Sequence, residues 1–257
     1  MHTPLLHCRT LFLSDLHLGS KACQAEKVLA LLQHSQCESL YLIGDIVDFW
    51  AQKKQRFWPA SHHQVIRQLA KMAANGVSIT YLPGNHDGVL REFCHGELLG
   101  IRMRRRHIHR TANGKRYLLT HGDEFDHAVL LSRFQAVLGD HGYEWLLWLN
   151  RVYNRVRSWQ GKGYYSLATQ VKSRIKGANE AVKRYRQAAL DEAKRQGLDG
   201  IICGHIHCPE QMEQDQVEYL NTGDWLESFS AVAEDHQGRL QLLTQAQWQP
   251  VQQAKVA

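Results

Sequence analysis

Five short apolar runs in this chain break off into the same kind of polar punctuation, and that pattern constrains the fold more than any other feature. Leu11-Phe12-Leu13 runs into Ser14-Asp15-Leu16-His17, and Leu42-Ile43 into Gly44-Asp45-Ile46-Val47-Asp48. Leu82 leads to Pro83-Gly84-Asn85-His86-Asp87, Leu118-Leu119 to Thr120-His121-Gly122-Asp123, and Ile202-Cys203 to Gly204-His205-Ile206-His207. In an α/β sheet the loops at the carboxyl ends of parallel strands converge on one crevice. A lone Asp-x-His is usually a turn beside a satisfied histidine. Five strand ends that each deliver Asp, Asn or His to one place describe a metal site. Residues two apart on an extended segment share a side, so Asp15 with His17, and His205 with His207, can face one ion. The glycines before Asp45, Asn85 and His205 suit tight exits and close backbone approach to an anion.

The donors are carboxylate, imidazole and amide oxygen without thiolate, which fits hard-to-borderline divalent ions such as Mn, Fe or Zn. The chain carries 31 Lys and Arg against 25 Asp and Glu, a balance that favours an anionic partner. Its six cysteines form no Cys-x-x-Cys pair. The N-terminus lacks the basic and apolar regions of a secretory signal, so the cysteines are expected to be reduced thiols in a cytoplasmic protein. Hydrophobic residues make up 44% of the chain, enough for a large core and far from a disordered composition.

Apolar runs alternate with helical patterns at 25–32 and 65–74 over the first part of the chain, which reads as a layered α/β domain. Asn113-Gly114 marks a hairpin between 106–110 and 115–120. From 125 to 197 strand signals stop and apolar residues recur at helical spacing. This stretch is expected to be a helical insertion. Arg151 to Arg195 holds twelve Lys and Arg against three acidic residues, with Trp145, Trp148 and Trp159 beside it and Tyr164 and Tyr165 following. Strands return at 200–203, 217–220, 228–233 and 239–243, read as a second sheet with a hairpin at 235–238. The last dozen residues read as a loose polar tail. The expected organisation is a core of 1–124 and 198–246, an insertion of 125–197 and a tail of 247–257.

The set Asp-x-His, Gly-Asp-x-x-Asp, Gly-Asn-His-Asp, His-Gly-Asp and Gly-His-x-His resembles that of the calcineurin-like metallophosphoesterase superfamily. The resemblance spans about Arg9 to Glu227. It implies a four-layer αββα sandwich with a helical cap, and two divalent ions, Mn favoured. Asp15, His17 and His207 would hold one ion, Asn85, His121 and His205 the other, and Asp45 would bridge them. The implied reaction is attack on phosphorus by a hydroxide that the two ions share. His86 would contact a phosphoryl oxygen or protonate the leaving oxygen, with Asp48 orienting it. Asp87 and Asp123 read as loop residues or supports of the ligands.

Within the superfamily the chain is most similar to the UDP-2,3-diacylglucosamine pyrophosphohydrolases of lipid A synthesis. The similarity rests on Leu11 to Gly19, on Tyr41 to Trp50, and on the place of the insertion between His121 and Gly204. Typical members carry Arg where this chain has His86. The resemblance implies a lipid-nucleotide substrate, Asn179 and Lys183 as substrate contacts on the insertion, and peripheral attachment to the inner face of a membrane. A basic, aromatic cap suits a diphosphate with acyl tails, and Trp145, Trp148, Tyr153 and Trp159 are its expected liners. The competing readings are a soluble phosphodiesterase, a metallo-nuclease gripping nucleic acid with the basic cap, and a non-catalytic scaffold. No nucleic-acid module is visible, which disfavours the nuclease, and no expected ligand is missing, which disfavours the scaffold.

Overall fold

The structure, a computed structural model, describes residues 6–98, 100–128, 153–154, 157 and 178–248. Two sheets lie face to face. The larger has seven strands in the order β14-β13-β2-β4-β5-β7-β6. These are β2 (Thr10–Leu13), β4 (Ser39–Ile43), β5 (Ser78–Leu82), β6 (Glu97–Leu98), β7 (Ile101–Met103), β13 (Ala231–Glu234) and β14 (Leu240–Leu243). The smaller has five strands in the order β11-β12-β10-β9-β8. They are β8 (His107–Arg110), β9 (Arg116–Leu119), β10 (Gly200–Cys203), β11 (Glu210–Gln214) and β12 (Val217–Asn221). A two-stranded parallel pair, β1 (Leu6–His7) with β3 (Ser35–Gln36), stands apart.

The alternation of side chains along each strand builds four layers. Phe12, Tyr41, Ile43, Leu82, Tyr117, Leu119, Ile202, Leu220 and Val232 fill the space between the sheets. Their neighbours Leu11, Leu13, Leu40, Leu42, Ile79, Ala231 and Ala233 turn the other way, into the core that holds the helices of the seven-stranded sheet. These helices are α1 (Ala25–His34) and α3 (Ala60–Ala74). The first buries Ala25, Val28, Leu31 and Leu32 and the second His62, Val65, Leu69 and Met72, one stripe each at helical spacing. A six-residue helix, α2 (Phe49–Lys54), lies between them in sequence and buries no residue. On the outer face of the five-stranded sheet Leu118, Ile201, Cys203, Val217 and Tyr219 pack against Tyr185, Ala189, Leu190 and Ala193 of α4 (Ala178–Arg195). The fold is thus the expected αββα sandwich. The α4 segment lies within the stretch read as an insertion, and it forms the fourth layer.

Two expectations need correction. The strands at 231–234 and 240–243 do not join the second sheet. β13 pairs antiparallel with β2, Val232 opposite Phe12, so the chain crosses to the seven-stranded sheet after β12. Apolar alternation marks a strand without naming its partner. Of the expected tail only Gln247 and Trp248 lie within the described residues, and Trp248 is buried rather than loose. Helix α5 (Gln245–Trp248) buries Trp248, whose Nε1 donates to the Phe229 carbonyl at 3.0 Å and whose ring lies 5.4 Å from that of Trp225. Trp145, Trp148, Trp159, Tyr164 and Tyr165 lie outside the described residues, and Tyr153 is exposed. Among the described residues no helix is long and apolar enough to cross a membrane.

Candidate metal centre

Three adjacent parallel strands of each sheet end at one edge. β2, β4 and β5 come from the larger sheet, and β9, β10 and β12 from the smaller. The loop after each contributes to one cluster. Asp15, His17, Asp45 and His121 are buried, and Asn85, His86, His205 and His207 are partly so. One group of donor atoms comprises Asp15, His17 and His207, and another Asp45, His121 and His205. A third, His17, Asp45 and His86, lies between them.

The backbone adopts a costly conformation to make this arrangement. Asp15, His17, Asp45, His205 and His207 have φ of 53°, 51°, 53°, 71° and 53°. Non-glycine residues rarely enter this left-handed region, and each costs about 1–3 kcal/mol unless its surroundings hold it. Here the loops brace one another. The amides of Asp15 and His17 donate to the carbonyls of Gly44 and Asp45 at 3.0 and 2.9 Å, and Gly204 N donates to the His121 carbonyl at 3.1 Å. Glycine is required where backbone meets ligand. A side chain at Gly44 would run into the His121 ring, and one at Gly204 into the Asp15 carboxylate.

The polar atoms meet in a way that calls for added positive charge. His121 Nδ1 lies 3.1 Å from the Ile43 carbonyl, which assigns the proton to that nitrogen. Its Nε2 faces Asn85 Oδ1 at 3.1 Å and Asp45 Oδ2 at 3.3 Å; in the neutral imidazole three acceptors meet on one point, which needs a proton or a metal ion to fill it. His17 Nδ1 likewise lies 3.1 Å from Asp48 Oδ2, and its Nε2 faces His207 Nε2 at 3.4 Å. Asp15 Oδ1 is buried without a hydrogen-bond partner, although His207 Nε2 stands 3.2 Å away. Burial opposes charge on Asp15 and Asp45, yet the surrounding histidines hold both carboxyls below the usual range. Burial also disfavours the His121 cation, and Asp45 overrides it, pushing the imidazole up to about 10. An orphaned carboxylate oxygen and converging lone pairs in an O/N donor set fit divalent metal ions.

The second sphere is where sequence reasoning fell short. Asp48 does hold His86, its Oδ1 lying 3.0 Å from Nδ1, but its other oxygen also holds His17. Asp126 Oδ1 lies 2.8 Å from His205 Nε2. Asp224 Oδ2, buried and without a hydrogen-bond partner, lies 3.7 Å from His207 Nδ1. Asp224 had a signal, because Tyr219-Leu220-Asn221-Thr222-Gly223-Asp224 is a sixth apolar run ending in Gly-Asp. Asp126 had none beyond its nearness to His121. Asp87 supports the loops, accepting from Ile46 N at 2.8 Å, Gly84 N at 2.6 Å and Tyr81 Oη at 2.5 Å. Asp123 pairs with Arg91 at 2.7 Å. Asn179 is exposed on α4, and Lys183 Nζ pairs with Glu180 at 3.2 Å, so neither joins the cluster by a described contact.

A family model described as calcineurin-like phosphoesterase matches residues 8–209. Among curated proteins the chain is similar to a UDP-2,3-diacylglucosamine hydrolase of Aeromonas salmonicida, 28% identical over 87% of this chain and 88% of that one. A protein of the same name from Photorhabdus laumondii is 27% identical over 78% and 82% of the two chains. Another, from Azotobacter vinelandii, is 26% identical over 84% and 90%.

Proposed function

The chain belongs to the calcineurin-like phosphoesterase family, and from that premise we propose that it is a two-metal pyrophosphohydrolase acting on UDP-2,3-diacylglucosamine or a lipid nucleotide much like it. The observation that carries the reading is the convergence of donors described above. Asp15, His17 and His207 would hold one ion, Asn85, His121 and His205 the other, and Asp45 stands between, its Oδ2 3.9 Å from His17 Nε2 and 3.3 Å from His121 Nε2. Two divalent ions bound there would supply Lewis acidity toward the phosphoryl oxygens and acidify a water for attack. We favour Mn, with Fe or Zn also suited to the donors.

The protein's own groups do the rest. Asp48 fixes His86 through Nδ1, which leaves Nε2 facing the centre, 4.0 Å from Asp45 Oδ2. There the doubly protonated ring of His86 would present an Nε2–H to the leaving phosphate oxygen. Asp48 and the Ile43 carbonyl face Nδ1 of His17 and His121, and Asp126 faces Nε2 of His205, which would favour the tautomer that presents the other nitrogen to a metal. The substrate class draws support from the names of the relatives and from the sequence of 125–197, whose tryptophans suit acyl chains and whose basic residues suit a diphosphate or an anionic membrane face. Asn179 and Lys183, at the far end of that stretch, are our candidates for substrate contact. We place the enzyme in the cytoplasm, at the inner face of the membrane.

A second reading, a soluble phosphodiesterase, is favoured by His86 itself. Arginine, typical at this place in the pyrophosphohydrolases, clamps charge but does not give up a proton. Histidine gives one up readily, which suits an ester with a poor leaving group. One comparison separates the two. Metal-loaded protein should release UMP from UDP-2,3-diacylglucosamine with higher kcat/KM than it cleaves bis-4-nitrophenyl phosphate, cyclic nucleotides or oligonucleotides. Preference for any of the latter would overturn the lipid-nucleotide reading.

A further inference from the structure

Helix α2 poses a question of energetics. It has six residues, buries none of them, and still carries a tryptophan half in water, Trp50 being 49% exposed. A helix this short gains little on its own, and no apolar face ties it to the core. Polar contacts hold it instead. Asp48 caps it, accepting from Ala51 N at 2.7 Å, and Gln52 Nε2 donates to the Gly19 and Phe57 carbonyls at 2.8 and 2.6 Å. The cap is the same carboxylate oxygen that binds His86 Nδ1. Two residues on, the Trp50 ring lies over that of His86, with centroids 4.2 Å apart and planes inclined by 33°. His17 meets the same imidazole nearly at right angles, with centroids 4.7 Å apart.

We propose that Trp50 is a positioning residue for His86, its indole stacking on the imidazole so that the ring, pinned at Nδ1 by Asp48, keeps Nε2 turned toward the metal centre. This rests on the reading of His86 as the proton donor to the leaving oxygen. A single hydrogen bond lets an imidazole rock, and a partly exposed ring can swing toward water. The side chain of His86 is 22% exposed. The stack restricts that swing and shields the proton from solvent. Small errors in placement are costly in proton transfer, because the donor must lie within hydrogen-bond reach of the leaving oxygen. The site thus has a carboxylate that anchors the ring at Nδ1 and an indole that sets its tilt, both delivered by one turn of helix.

The test compares Trp50→Ala, Trp50→Phe, His86→Ala and the Trp50→Ala/His86→Ala double variant on two phosphodiesters, one with a 4-nitrophenyl and one with an alkyl leaving group. Trp50→Ala should lower kcat on the alkyl ester by about 10–100-fold, the scale of losing an orienting partner, with KM nearly unchanged. The loss should shrink on the nitrophenyl ester, which needs no proton. Trp50→Phe should recover most of it. The double variant should be no slower than His86→Ala, since Trp50 acts through that ring. Independently of turnover, the His86 ring protons in an NMR spectrum should move downfield in Trp50→Ala as the indole ring current is lost. Bound metal should be unchanged. A Trp50→Ala enzyme with a raised KM and intact kcat, or a double variant slower than His86→Ala, would overturn the proposal. Full activity of His86→Ala on the alkyl ester would instead sink the proton-donor reading and the role of Trp50 with it.

Discussion

Two buried acids flank the ends of strand β2 in opposite conditions. Opposite its first residue, Glu234 of β13 is fully buried and fully answered. Its Oε1 accepts from Arg9 at 2.6 Å and Ala112 N at 2.7 Å, and its Oε2 from Thr10 at 2.7 Å and His109 Nε2 at 2.8 Å. Beyond its other end, Asp15 is just as buried, but Oδ1 has no hydrogen-bond partner, although His207 Nε2 and His17 Nε2 stand 3.2 and 3.8 Å away. Both acids lie in the same sandwich, so burial does not distinguish them. What does is whether the protein supplies the donors itself. Glu234 staples Thr10 of the larger sheet, and Arg9 just before it, to His109 of the smaller, whereas Asp15 belongs to a cluster short of donors. A buried charge that is satisfied contributes to the fold, and one that is left short of donors marks function.

Substitutions at the two ends should therefore fail in opposite ways. The largest effect should come from Asp45→Ala, which lowers turnover by about 10⁴-fold or more, the scale seen when one member of a unit acting together is removed. Its melting temperature without metal should stay close to that of the parent, because the variant also removes repulsion from Asp15. His86→Ala should cost about 10²–10⁴-fold in kcat with metal content intact; an empty site in that variant would make His86 a ligand holder. Glu234→Ala should do the reverse, losing about 3–5 kcal/mol of stability because Arg9 and His109 lose their buried partner, while kcat of the folded fraction is unchanged. Urea unfolding checks it.

The pH dependence sharpens the contrast. Burial opposes ionisation of Glu234, but bonds from His109, Thr10 and the Ala112 amide hold its carboxyl at about 2. A depressed value means stability that is complete above the unfolded value near 4.5 and lost as pH falls toward 2. Glu234→Gln should flatten that part of the acid unfolding curve. A smaller effect should follow Asp224→Asn, which removes the negative charge 3.7 Å from His207 Nδ1 and should lower affinity for one ion by about 10–100-fold, read by competition with a chelator. No change there would leave Asp224 a loop brace through its bonds to Leu226 and Glu227.

The five strand ends that named Asp15, His17, Asp45, Asn85, His121, His205 and His207 were legible because a ligand on a strand-end loop needs a local pattern of apolar run, turn and donor. The layers were legible for the same reason, through the alternation along β2, β4, β10 and β12. What was hidden is what depends on distant partners. Nothing local in Ala231 to Glu234 says that β13 pairs with β2, and nothing in Trp50 says that its ring will lie on His86. Asp126 and the Glu234 staple likewise join residues 79 and 125 positions from their histidine partners. Trp248 sits in a polar tail, and its burial depends on Trp225 and Phe229.

If the donors at the far end of β2 bind two cations that share Asp45, both ions depend on that carboxylate. Equilibrium dialysis against Mn²⁺, with metal per chain counted by mass spectrometry, tests it most directly in the wild-type protein and Asp45→Ala side by side. Two ions should bind per wild-type chain, with a loss from both positions, to less than one, in the variant. One ion or none in the wild type, or two retained without Asp45, would contradict it.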